Sequence, residues 1–165
     1  MLICAKAFNE LNFDGLMEIY QEGNVENAEY FYPGKPVEER LALAIMGFRE
    51  YLCEQFFKQE NAQYWVLTEN DKYISALRFE KHRDGLLLEA LETHPDHRGQ
   101  GYAKKLILDV LSKLPKETRI YSHVSKRNVA SLATHMSCGF VKEQDYVLAG
   151  DGTVNNNTTT FTIIT

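Results

Sequence analysis

The sequence predicts one α/β domain, a single mixed and mostly antiparallel sheet flanked by helices, and three observations carry that expectation. Apolar residues recur three or four positions apart at Leu41, Ile45, Phe48, Leu52 and Phe56, and again at Ala103, Leu106, Ile107, Val110 and Leu111, the period of a helix with one buried face. Between these stretches lie closely spaced runs of strand-forming residues joined by short turns, the pattern of an antiparallel meander. The length of 165 residues suits one domain, taken as residues 1–165, and is too short for two of full size.

Each element has a local reason. Residues 2–7 read as a first strand. Asn12 is placed to cap a helix whose face carries Leu16, Ile19 and Tyr20, and Gly23-Asn24 is expected to end it. Tyr30-Phe31-Tyr32, followed by Pro33-Gly34, reads as an aromatic turn that serves either as core packing or as the wall of a substrate pocket. Pro36 suits the first turn of the long helix, where its missing N–H is an orphan anyway. Strands are expected at residues 64–68, 73–79 and 86–93, with turns at 69–72 and Asp84-Gly85, and Pro95 stops the last of them. Pro115 stops the second amphipathic helix, and a strand at 120–124 reached by that crossover should run parallel to its predecessor. A short helix over 129–137 ends at Gly139, an extended segment runs over 140–148, and residues 161–165 form a terminal strand. Residues 150–158 are the most loop-like stretch and read as an exposed hairpin tip.

Composition narrows the function classes. Lys and Arg number 18 against 23 Asp and Glu, a net charge of -5 that offers no global footprint for nucleic acid. A hydrophobic share of 44% excludes a disordered chain. Cys4, Cys53 and Cys138 are far apart, with neither zinc spacing nor a paired framework, so reduced thiols and a cytoplasmic location are expected. No apolar run approaches the ~18 residues of a membrane span, and the first residues lack the apolar segment of a signal peptide.

The segment Arg98-Gly99-Gln100-Gly101-Tyr102-Ala103 lies between a strand and a helix. Its glycines allow close backbone approach, and successive N–H groups entering the helix suit a pyrophosphate. The segment has neither the GxxxxGK phosphate loop nor a complete GxGxxG fingerprint, so by itself it reads first as a simple tight turn and only second as an anion site. Its context is more specific. A strand ending in Thr93-His94-Pro95 leads into Arg-Gly-x-Gly-x-Ala, and further on Asn128-Val129-Ala130-Ser131 leads to Cys138-Gly139-Phe140. In this order the two motifs resemble the acyl-CoA-binding core of the GNAT superfamily of N-acetyltransferases, closely over residues 86–140 and in element order along the whole chain.

The resemblance implies a sheet whose central strands splay into a V-shaped cleft, with acetyl-CoA as acyl-donor cosubstrate. The main chain of Arg98, Gly99, Gln100, Gly101, Tyr102 and Ala103 would hold the pyrophosphate. The strand edge from Leu91 to Thr93 would pair with the pantetheine, and Asn128 and Ser131 would contact the cofactor, Asn128 reading equally as a helix cap. The implied reaction is direct attack of a primary amine on the thioester within a ternary complex. A small-molecule amine is the preferred acceptor, with a protein or peptide amine as the alternative. An alkylammonium with a pKa of about 10.4 must first lose a proton, so a base or water relay is needed.

Many family members carry a tyrosine, proposed as thiolate acid, where this chain has His135; many that act on protein N-termini carry a glutamate where it has His123. His135 is accordingly assigned as thiolate acid and His123 as amine base. Tyr30, Phe31, Tyr32 and Glu92 are assigned to the acceptor. Glu89 and Glu92 differ in strand parity, so at most one of them should line the cleft. His94 and His97 sit at a strand end without a metal motif, and no metal is expected. Cys138 reads as a packing residue, not an acyl carrier. A noncatalytic acyl-CoA-binding module and a nucleotide-binding enzyme are the competing classes, and exposed strand edges leave a homodimer open.

Overall fold

The run Tyr64-Trp65-Val66-Leu67 has no polar residue on either face, and the reason is that both faces are covered. The computed structural model describes residues 1–148 and 152–165. In it β1 (Leu2–Ala5) pairs antiparallel with β2 (Gln63–Glu69), which continues through β3 (Lys72–His82) into β4 (Gly85–Thr93). Trp65 and Leu67 of β2 face one layer, with Leu106, Ile107 and Val110 of α4 (Tyr102–Leu111). Tyr64 and Val66 face the other, with Leu16 and Ile19 of α1 (Phe13–Ile19) and Leu52 of α3 (Val37–Glu54). Asn70 and Asp71 join β2 to β3 with φ of 48° and 61°, the paired left-handed residues of a two-residue hairpin turn.

Beyond β4 come α4, β5 (Arg119–Ser125), α5 (Val129–Ser137), β6 (Val141–Gln144) and β9 (Thr158–Ile164). The seven-stranded sheet runs β1-β2-β3-β4-β5-β9-β6, antiparallel except where β4 meets β5. This is the mixed, mostly antiparallel sheet that the sequence predicts. No helix among the described residues is long and apolar enough to cross a membrane.

Three expectations are corrected. The first helix does not end at Gly23-Asn24: after a break at Tyr20, α2 (Gln21–Phe31) carries straight through both residues. Asn24 is buried and its side-chain amide donates to Met17 Sδ at 3.4 Å, while Ala28 is buried and α2 packs on α3. That packing outweighs the cost of about 1 kcal/mol for a glycine in a helix. Tyr30 and Phe31 therefore belong to the last turn of α2, with Tyr32 at its C-cap, and not to a free turn. The segment 140–148 breaks at Asp145, which ion-pairs with Lys142 and Lys126, and β7 (Val147–Leu148) leaves to form a ribbon with β8 (Val154–Asn155). Of the loop-like stretch, Gly150 and Asp151 lie outside the described residues, and β8 occupies part of the remainder.

The departure from regular sheet is local. β4 and β5 pair in parallel only from Leu86 and Ile120 to Leu88 and Ser122. At the closed end Gly85 lies so near β5 that a Cβ would sit 2.1 Å from the Arg119 carbonyl oxygen. Past Leu88 the strands part. Ala90 has φ of 51°, and between Ala76 and Arg78 the β3–β4 register slips, the signature of a β-bulge that bends β4. The Tyr20 hydroxyl donates to the Ala90 carbonyl at 2.6 Å and accepts from the Tyr64 hydroxyl at 2.9 Å, bracing a conformation that costs a non-glycine residue about 1–2 kcal/mol.

Candidate active site

The bulge leaves residues 89–93 of β4 without a strand partner on the β5 side, and three cavities meet along this stretch. A groove of about 570 Å³ runs past Leu91, Glu92 and Thr93 to the start of α4 and the start of α5. A narrow gap of about 180 Å³ separates Glu89, Ala90 and Leu91 from β5. On the α2–α3 side lies a pocket of about 720 Å³, lined in part by Glu89, Ala90, Leu91 and Glu92. Leu91 borders all three.

The groove gathers most of the residues assigned to the cofactor. Gly99 and Gly101 have φ of 73° and 83°, and Gly101 is the N-cap of α4. No side chain caps this helix, so its first-turn N–H groups and the positive end of its dipole remain available to an anion. Gly99, Gly101, Tyr102, Ala103 and Arg98 all line the groove, whereas Gln100 does not and instead donates to the Asp96 carbonyl at 3.2 Å. Arg98 reaches across it: its guanidinium contacts Glu22 of α2 at 2.6 Å and Glu92 at 3.1 Å, so its charge is already shared between two carboxylates. Thr93 is 8% exposed, with its hydroxyl 3.0 Å from that of Ser75. Asn128 caps α5 by accepting from the Ser131 N–H at 3.0 Å, and both residues line the groove and the gap.

The two histidines arrive at the gap in different states. His123, half-buried, meets His82 edge-on at 5.3 Å, and among the described residues its Nε2 is buried without a hydrogen-bond partner. Burial, then the neighbouring charges of His82 and Arg83, lower its pKa, so the neutral base is favoured at neutrality. His135 is 1% exposed. Its Nδ1 lies 2.8 Å from the Ser131 carbonyl, which can only accept, so Nδ1 carries the proton and Nε2 accepts from the Ser122 hydroxyl at 2.8 Å. The ring also lies against Phe140 and Phe161, and burial lowers its pKa. Both nitrogens are thus engaged, which corrects the expectation of a free imidazole acid facing a thiolate.

The pocket corrects two more expectations. Glu89 and Glu92 share a face despite their opposite parity, because the extra residue of the bulge shifts the alternation: Glu89 pairs with Arg78 and Glu92 with Ala76, two residues apart on β3. Both carboxylates line the pocket. Burial raises the pKa of Glu89, opposed by the Arg78 guanidinium at 3.1 Å. Phe31 and Tyr32 line the pocket, but Tyr30 does not; it is 79% exposed, with its ring packed edge-on against Phe31. The sequence reading missed Asn24, Asn27, Tyr51 and Arg78 as lining residues. Asn24 and Asn27 were hidden by the misplaced helix end, and Tyr20 and Phe48 were visible only as members of apolar faces. Cys138 is buried, burial pushes its thiol pKa up, and it lines none of the three cavities.

With this geometry established, the sequence profile of the Acetyltransferase (GNAT) family matches residues 16–140. A search of curated protein sequences gives no match. Among solved structures, the ribosomal-protein-S18-alanine N-acetyltransferase from Escherichia coli superposes with a TM-score of 0.60 at 16% identity, covering 99% of this chain and 94% of that one. The PaiA N-acetyltransferase from Thermoplasma acidophilum, in complex with coenzyme A, gives 0.63 at 15% identity, covering 100% and 99%. The YncA structure from Salmonella typhimurium with its cofactor acetyl-CoA gives 0.61 at 18% identity, covering 99% and 94%. At these identities the structural likeness establishes the fold.

Proposed function

Because the chain belongs to the GNAT acetyltransferase family, we propose that it transfers the acetyl group of acetyl-CoA to a primary amine of a small molecule, by direct attack within a ternary complex. The observation that carries this reading is the meeting of groove, gap and pocket at Leu91, which gives a long anionic thioester and an amine separate approaches to one point. The resemblance to structures holding coenzyme A or acetyl-CoA supports the donor assignment. A pocket of about 720 Å³ falls within the roughly 300–1,000 Å³ of small-molecule sites, which favours a small acceptor.

In this reading the N–H groups at Gly99, Gly101, Tyr102 and Ala103 hold the pyrophosphate, and Asn128 and Ser131 border the pantetheine. The unpaired β4 edge between Leu91 and Thr93 receives the pantetheine and donates an N–H to the oxyanion. Glu89 and Glu92 hold the incoming ammonium. His123 removes its proton directly or through water, and nitrogen then adds to the thioester carbon. Collapse of the tetrahedral intermediate breaks the C–S bond. The departing thiolate, with an ordinary thiol pKa of about 8.5, is far less basic than the amine and takes, through water, the proton that the attacking nitrogen sheds as it becomes the amide. His135 acts as a positioning residue that fixes Ser122 and Ser131.

The test is an assay of free CoA thiol release with a mixed panel of primary amines, with acetylated products identified by mass spectrometry. Amine-dependent release is expected. Tight acetyl-CoA binding without transfer to any amine would favour the noncatalytic module, and transfer confined to protein or peptide amines would favour the macromolecular acceptor.

A further inference from the structure

The pocket beside β4 is selective in both charge and shape, and from it we infer that the acceptor is an arylalkylamine: one ammonium carried on a flat apolar body, without a carboxylate. This inference rests on the acetyl-transfer reading and names the substrate class of that same site.

Charge comes first. Among the described residues that line the pocket, Arg78 is the sole cation. Its guanidinium is already engaged, 3.1 Å from Glu89 and 3.5 Å from Glu80, and lies 5.0 Å from the centroid of the Tyr51 ring. At the β4 end Arg98 is likewise held by Glu22 and Glu92. Two guanidinium groups thus face four carboxylates, which leaves the reacting end anionic. An ammonium is drawn to this surplus of negative charge, whereas an acceptor carboxylate would be buried against Glu89 with no free cation to meet it.

Shape sets the rest of the molecule. Away from Glu89 and Glu92 one wall is aromatic, facing Asn24 and Asn27 of α2: the Phe48 and Tyr51 rings are stacked 6.4 Å apart, and Tyr20 stands edge-on to Phe48 at 5.9 Å. The hydroxyls of Tyr20 and Tyr51 are spent on the Ala90 carbonyl and on Glu80. A peptide would bring more backbone groups than the Asn27 amide and the Tyr32 hydroxyl can pair, and a polyamine would bring a second cation to an end where, among the described residues, no carboxylate lines the pocket. The room for a ring comes from Gly47 on α3, where a Cβ would meet nothing closer than the Tyr32 hydroxyl at 3.8 Å.

The experiment compares kcat/KM for 2-phenylethylamine, phenylalanine, methylamine, spermidine and a short peptide with a free N-terminus, in the wild type and in Gly47→Leu. Acetyl-CoA affinity is measured by calorimetry in both proteins. Phenylalanine differs from 2-phenylethylamine only by the carboxylate, so the pair isolates the charge argument. The expected result is that 2-phenylethylamine exceeds phenylalanine by about 100-fold and methylamine by at least about 10-fold, with spermidine and the peptide also below it. Gly47→Leu, which improves helix propensity, should lower kcat/KM for 2-phenylethylamine by about 10-fold or more while acetyl-CoA affinity stays unchanged. Preference for phenylalanine, spermidine or the peptide overturns the inference, as does an unaffected Gly47→Leu. Transfer to other amines only also overturns it and leaves acetyl transfer standing; failure to bind acetyl-CoA overturns the underlying reading as well.

Discussion

His123 and His135 differ in what their rings touch: the hydroxyl of Ser122, the residue before His123, donates to His135 Nε2 at 2.8 Å, whereas among the described residues His123 Nε2 is buried without a hydrogen-bond partner. For His123, burial is the main cause of a pKa below the ordinary imidazole value of about 6.5, with repulsion from His82 when it is protonated and from Arg83 adding to it. His82 in turn feels Arg83, Asp84 and Glu143, and Tyr121 packs against its ring. As a base His123 acts when neutral, so kcat/KM should rise with pH below about 6.5 and be level at neutrality. In His123→Ala the rate at neutral pH should fall about 10²- to 10⁴-fold and then climb with pH as free amine accumulates. A folded variant with the wild-type profile would remove His123 from the mechanism. For His135, the unfolded state binds the proton first, so stability is greatest above about 6.5 and declines as pH falls below it. His135→Ala should cost about 3 kcal/mol in denaturant melts at neutral pH, from lost packing on Phe140 and Phe161 and an orphaned Ser122 hydroxyl, and should show a weaker acid dependence. These states were not legible in the sequence, which places both imidazoles near the cleft but carries no sign of which nitrogens are already bonded.

Among the elements, the loop entering α4 and the helix α5 were readable because their signals are local: glycines at 99 and 101, Asn128 as a cap, and Gly139 after the last turn. The bulge at Ala90 was not, since alanine carries no preference for φ of 51° and the conformation is held by Tyr20 and Tyr64 from distant elements. That one residue reverses the parity of everything after it in β4, which is why Glu89 and Glu92 were placed on opposite faces. The aromatic run at 30–32 failed for a similar reason, because tertiary packing of α2 on α3 overrode the helix-ending tendency of Gly23-Asn24. The loop also permits a controlled test. Gly101→Ala puts a methyl group where a phosphate would approach, at a φ of 83° that costs alanine about 1–2 kcal/mol. Gly34, with φ of 86° and equally open surroundings, carries similar strain away from the groove. Acetyl-CoA affinity should fall about 10-fold or more in Gly101→Ala and remain at the wild-type value in Gly34→Ala. Equal affinities in both variants would detach the loop from the cofactor.

At the scale of the whole molecule, two helical layers leave one seam in the sheet uncovered, between β4 and β5, and the fold brings both substrate approaches to it. Gly85 pins one end of the seam against Arg119 and the bulge opens the other. A chain built in this way needs no covalent carrier, and its buried Cys138 thiol is poorly suited to be one. The most direct test of acetyl transfer by attack within a ternary complex is a single-turnover experiment, with protein in excess over acetyl-CoA labelled in the acetyl group, followed by rapid quenching with and without an amine acceptor. The account predicts that the label passes to the amine in one exponential phase, matched by release of CoA, and that the protein remains unlabelled at every time and in the absence of amine. Label bound covalently to the protein before it reaches the amine, or retained on acetyl-CoA when every amine is present, would contradict it.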